Sequence, residues 1–225
     1  MVPLGIIEWG VSMSSQRHSD KRTGGHPDTY RLFIAISLPE RVKDEIEKAQ
    51  NELRGAVPEG SVRWTKRGQL HLTLKFLGNV EAQRLEALAS ELARACEQFG
   101  ALRLRARQIG FFPGHRRPRV VWAGVDDLPE RLPVLQRTVE AATAGFTGEE
   151  PEKTFTGHVT LGRCKAIQRP HAEMLAKAAK TMERRFFGEW TADRIEIIRS
   201  ELGSGGSRYT TLFAVPLAAE SGPGL

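Results

Sequence analysis

The chain has 225 residues, 40% of them hydrophobic and 27% charged, which suits a soluble globular protein with one large core or two small lobes sharing a sheet system. Lys and Arg outnumber Asp and Glu by 33 to 27, and the formal charge of +6 favours anionic partners, nucleic acid first. The only two cysteines, Cys96 and Cys164, form no CxxC, and no apolar run is long enough to span a bilayer, so a disulfide scaffold, a cysteine zinc site and a membrane span are excluded and a cytoplasmic protein is expected.

Residues 1–29 lack apolar periodicity and read as a flexible extension, as do residues 218–225 at the other end. Tyr30 to Ser37 reads as a strand. Pro39 then opens a helix with Val42, Ile46, Ala49 and Leu53 on one face. Leu70 to Leu77 alternates as a strand, Glu81 to Phe99 has helical leucine spacing, and Leu102 to Phe112 is a strand again. The second half repeats the order. Arg119 to Val125 is a strand, Pro129 to Ala144 a helix, Thr156 to Arg163 a strand and Pro170 to Phe186 a helix. Two strands close the chain, Arg194 to Leu202 and Arg208 to Pro216, joined by a glycine-rich turn. The expected fold is mixed α/β (α+β): a single duplicated domain over 30–217, with two lobes of about 30–112 and 119–216. Two small sheets flanked by helices would face each other across a central cleft.

The third element of each half carries the same string, His71-Leu72-Thr73-Leu74 and His158-Val159-Thr160-Leu161. Alternate residues of a strand share a face, so each histidine projects with its threonine. Two such pairs at matching places in two matching halves make a far more specific signal than one HxT. Imidazole titrates near ~6.5, so one neutral and one protonated ring can serve as base and acid on a phosphodiester. The threonine hydroxyls can donate to non-bridging phosphate oxygens. This chemistry needs no metal and no cofactor.

At these residues the sequence resembles the 2H phosphoesterase superfamily, and within it the RNA 2′,3′-cyclic phosphodiesterases of the LigT/ThpR group, formerly described as 2′–5′ RNA ligases. The blocks RLFIAISLP, HLTLKFLGNV, FTGHVTLGRCK and SRYTTLF fall in family order. The resemblance implies opening of an RNA 2′,3′-cyclic phosphate end to a 2′-phosphomonoester. It implies His71 as proton donor to the leaving 3′-oxygen and His158 as base for water. It also implies Thr73, Thr160 and Arg163 at the phosphate and Phe76 beside the nucleotide. The partner would be an RNA end or a small cyclic nucleotide, and the protein a monomer. Joining of RNA ends by the reverse reaction, and non-catalytic binding of RNA ends, are the rival readings.

One position departs from the family pattern: Gly157 stands where a proline commonly precedes the second histidine, which loosens the start of the strand. Arg163 has the wrong parity to share a face with His158 unless the strand bends. Lys75 has the parity of His71 and Thr73 and reads as a solvated rim charge. Arg103, Arg105 and Arg107 form a basic strand face that either tracks RNA or is simply solvated. The loop from Gly114 to Arg119 is a denser basic cluster between the halves, placed to hold flanking phosphates.

Overall fold

The computed structural model describes residues 28–217 except 129, 153, 166, 204 and 205. The expected extension and tail therefore lie outside the described residues, apart from Asp28 and Thr29. In chain order the elements are β1 (Thr29–Ser37), α1 (Glu40–Gly55), β2 (Val62–Trp64), β3 (His71–Glu81), α2 (Leu85–Cys96), β4 (Leu102–Phe112) and β5 (Val120–Asp127). There follow α3 (Arg131–Thr143), β6 (His158–Cys164), α4 (Arg169–Lys180), β7 (Phe186–Ala192), β8 (Arg194–Gly203) and β9 (Gly206–Pro216).

Among the described residues the strands form one antiparallel sheet in the order β7-β4-β5-β6-β3-β1-β8-β9, with β2 added on β6. The two lobes are the two ends of this sheet, and they join at a single rung, Leu72 opposite Val159. The lobes do not follow the halves of the sequence. The first half sends β4 to pair with β5 and β7, and the second half sends β8 and β9 to pair beside β1. The division into 30–112 and 119–216 thus gives way in space to two lobes that each contain strands from both halves.

The helices exclude water from the backs of the lobes. α1 and α4 pack together behind β7 and β4, and α2 and α3 pack together behind β9 and β3. The expected face of α1 is the buried one: Val42, Ile46, Ala49 and Leu53 are all fully inaccessible. One apolar core runs continuously through both lobes. α4 ends at Lys180 rather than running to Phe186, and β7 is a strand for which the sequence predicts no element. Gly188 sits at φ +134°, a conformation that suits glycine, and breaks the alternation that would have marked a strand. No helix of the described residues is long and apolar enough to cross a membrane.

Candidate active site

The rung between Leu72 and Val159 determines the site. In an antiparallel pair the neighbours of a rung face one another, so His71 lies across from Thr160 and Thr73 across from His158. Leu72 and Val159 are fully buried behind, and all four polar side chains line one cleft of about 190 Å³. The pseudo-twofold relation expected from the repeated string is therefore realised at a single point of the sheet.

A matched pair of β-bulges completes the symmetry. On β3, Ala35 pairs with Thr73 and the next residue, Ile34, pairs with Lys75, leaving Leu74 extra. On β6, Trp122 pairs with Thr160 and Val121 with Gly162, leaving Leu161 extra. A bulge reverses side-chain parity beyond it. Phe76 and Arg163, each five residues after its histidine, accordingly return to the cleft wall. The bend that Arg163 requires is present. Lys75, by contrast, is turned to the back of the sheet and buried, so the expectation of a solvated rim charge is overturned. Its Nζ lies 2.9 Å from Glu140 Oε2 and donates to the carbonyl of Glu150 at 3.2 Å.

Buried glutamines hold these bulges from the back. Gln50 of α1 donates to the carbonyl of Leu161 at 2.8 Å and to that of Thr65 at 2.9 Å. Gln136 of α3 donates to the carbonyl of Leu74 at 3.5 Å. A bulge leaves backbone groups outside the ladder, and a buried carbonyl without a partner is costly. Neither glutamine stands out in the sequence, because each lies on an otherwise apolar helix face.

Each histidine is oriented by the same contact. His71 Nδ1 is 2.7 Å from the carbonyl of Gln69, and His158 Nδ1 is 2.7 Å from that of Thr156. A carbonyl only accepts, so Nδ1 carries the proton and Nε2 is left as the lone-pair nitrogen of the neutral ring. Aromatic rings enclose both. Phe33 lies 4.8 Å and Tyr209 5.4 Å from His71, centre to centre, and Phe112 stands edge-on to His158 at 5.0 Å. This burial pushes His71 down to about 4, with the charges of His158 and Arg163 adding to it and the Gln69 contact opposing it. Burial also lowers His158, again with Arg163 adding and the Thr156 contact opposing.

Several cleft residues lie outside the two HxT strings. Arg63 on β2 stands directly opposite Arg163 on β6, both exposed. Like charges across a ladder repel, and an anion between them removes the penalty. Trp64, Gln69, Ser207 and Tyr209 complete the wall. The signal that could have found Arg63 is the short VRW run, too brief to stand out as a strand. Among the described residues no three His, Cys, Asp or Glu side chains cluster to hold a metal ion. Cys164 is buried and burial raises its thiol, as expected of an inert cysteine. Arg103 pairs with Glu189, and Arg105 and Arg107 with Asp126. That strand face is thus the solvated, ion-paired one rather than an RNA track.

Gly157 tightens the start of β6 instead of loosening it. Its carbonyl accepts from Val125 N at 2.8 Å. A Cβ there would press into the Val125 carbonyl and lie 3.0 Å from Leu132 Cδ2. Gly157→Ala is expected to destabilise the fold by about 1–3 kcal/mol, the usual range for overpacking, and to lower turnover through the adjacent His158. Urea denaturation checks this, and an unchanged midpoint counts against the close approach.

Paired imidazoles and hydroxyls beneath facing arginines define a phosphoesterase-type site on a two-lobed antiparallel sheet. The family model described as "LigT like Phosphoesterase" matches residues 36–122 and 124–209, and the chain belongs to that family. It is 34% identical over 202 residues to the RNA 2′,3′-cyclic phosphodiesterase of Thermus thermophilus, spanning 85% of this chain and 92% of that one. To the enzyme of the same name from Methanothermobacter thermautotrophicus it is 31% identical, over 81% of this chain and 96% of the relative. Among solved structures, TT0787 of Thermus thermophilus superposes with a TM-score of 0.69 at 31% identity, covering 84% of this chain and 99% of that one. Escherichia coli LigT complexed with 3′-AMP superposes with a TM-score of 0.67 at 25% identity, covering 85% and 99%.

Proposed function

We propose that this chain hydrolyses RNA 2′,3′-cyclic phosphate ends to 2′-phosphomonoesters, with His158 as base and His71 as acid. The observation that carries the reading is the single Leu72–Val159 rung, which sets two HxT pairs face to face, each ring with Nε2 free. Relatives named RNA 2′,3′-cyclic phosphodiesterase across most of the chain support the substrate.

In this mechanism His158 Nε2 takes a proton from water as the water oxygen bonds to phosphorus. The bond from phosphorus to the 3′-oxygen breaks, and His71 Nε2 gives that oxygen a proton. Thr73 and Thr160 donate to the non-bridging oxygens, where negative charge builds. Arg163 and Arg63 flank the same anion. Phe76, half-exposed and 5.9 Å from Phe33, offers a face to the nucleotide. The incoming phosphate supplies the negative charge that lets His71 hold its proton at neutral pH.

The test is incubation in EDTA with an oligoribonucleotide ending in a 2′,3′-cyclic phosphate, resolving 2′- from 3′-phosphate products. A 2′-phosphate product is expected with chelator present. A 3′-phosphate product would reverse the assigned leaving oxygen, and loss of activity in EDTA would end the metal-free mechanism.

A further inference from the structure

The loop between β4 and β5 begins and ends at the cleft. It leaves from Phe112, edge-on to His158, and returns at Val120, directly opposite Arg163. Arg116 and Arg117 stand exposed on this loop. Two hollows, of about 640 Å³ and 300 Å³, meet at Arg116, Arg117 and Arg169. Lys165, two residues beyond Arg163, lines the second of them. Lys165 lies one residue past the end of β6, the strand that carries Arg163 at the cleft wall.

The side chains of Arg116, Arg117 and Lys165 make no ion pair or hydrogen bond among the described residues. The one acidic residue lining the hollows, Glu173, is already bound by Arg169 at 2.9 Å. The arginines of β4 differ, since all three are ion-paired, Arg103 to Glu189 and both Arg105 and Arg107 to Asp126. Cations without a partner among the described residues, on and beside a loop whose two ends stand next to His158 and Arg163, match a polyanion whose end sits in the cleft.

We propose that Arg116, Arg117 and Lys165 form a second binding site, which holds backbone phosphates of the RNA strand upstream of its reacting 3′ end. This rests on the reading of the cleft as an RNA-end site. It implies that the protein distinguishes an oligonucleotide from a mononucleotide by charge, not by base sequence.

The experiment compares wild type, Arg116→Glu/Arg117→Glu and the milder Lys165→Gln. Each is titrated with a dodecaribonucleotide bearing a terminal 2′-phosphate, followed by fluorescence anisotropy at several salt concentrations. Each is also assayed for turnover of 2′,3′-cyclic AMP. The double variant is expected to bind the dodecamer about tenfold or more weaker and to lose ~1.4 from the salt slope, since each single-strand phosphate contact contributes about 0.7. Lys165→Gln should lose about half as much slope, by the same relation. Turnover of the cyclic mononucleotide should stay within about twofold of wild type, because the second site would hold only upstream phosphates. Unchanged dodecamer binding and slope in both variants, or an equal effect on the mononucleotide, would overturn the second site. If the wild type itself did not turn over 2′,3′-cyclic AMP, the catalytic reading would fail, and the binding arm would still decide the second site.

Discussion

Replacing either His71 or His158 by alanine is expected to lower turnover by on the order of 10²–10⁴-fold, the usual contribution of a positioned acid or base. The two rings are equivalent in construction. Each is tethered at Nδ1 by a carbonyl two residues back, and each is enclosed by aromatic rings. Loss of one therefore removes half of a pair, and the other cannot supply both proton transfers. Burial holds both rings below the ordinary imidazole value, His71 at about 4, so both are neutral near pH 7 in the free protein. A bound phosphate anion reverses part of this. The optimum of kcat is therefore expected at higher pH than that of kcat/KM, which reports the free protein. Coincident optima, or near-wild-type turnover by either variant, would remove that histidine from the mechanism.

The same depression affects stability, and its sign follows from proton uptake. Below ~6.5 the unfolded chain protonates His71 while the folded protein does not, so stability present above that pH is lost as pH falls toward about 4. His71→Ala should flatten this part of the urea-midpoint profile relative to wild type.

Lys75→Met is expected to cost about 3–5 kcal/mol of folding stability, the range for breaking a buried ion pair by removing one partner. For a protein of this size, a loss of 3 kcal/mol lowers Tm by roughly 6–12 °C. Lys75 Nζ is enclosed between Glu140 and the Glu150 carbonyl behind the β3 bulge. Glu152 lies close by, with its carboxyl raised by burial and by Glu140, and lowered by Lys75. Without the cation the two carboxylates repel each other in a poorly solvated site. The loss should shrink at acid pH, where they protonate, and Glu140→Gln should restore much of it in the double variant. Equal melting of Lys75→Met and wild type would show that the pair contributes nothing net.

The two HxT strings, their shared faces and the apolar stripe of α1 were legible because each depends only on local periodicity. The bulges were not, because a bulge is a property of two strands in register and leaves no mark on one. That is why simple alternation misplaced Lys75 and left the placement of Arg163 conditional on a bend. The exchange of strands between lobes was hidden for a related reason. β4 reads like any alternating strand, and nothing in its residues says that its partners are Trp190 and Val125 rather than residues of β1. Arg63, Gln50 and Gln136 gain meaning only from what lies opposite them.

The exchange of strands also bears on when the protein becomes competent. Ala35 pairs with Glu196, and His71 rests against Tyr209, near the far end of the chain. Contacts of such sequence separation are slow to form, because loop closure must precede them. On a ribosome the first histidine would emerge long before the strands that wall it in. The acid–base pair therefore takes its final shape only after β8 and β9 have been made, and a chain cut before β9 keeps both histidines but lacks the Tyr209 wall that helps bury His71.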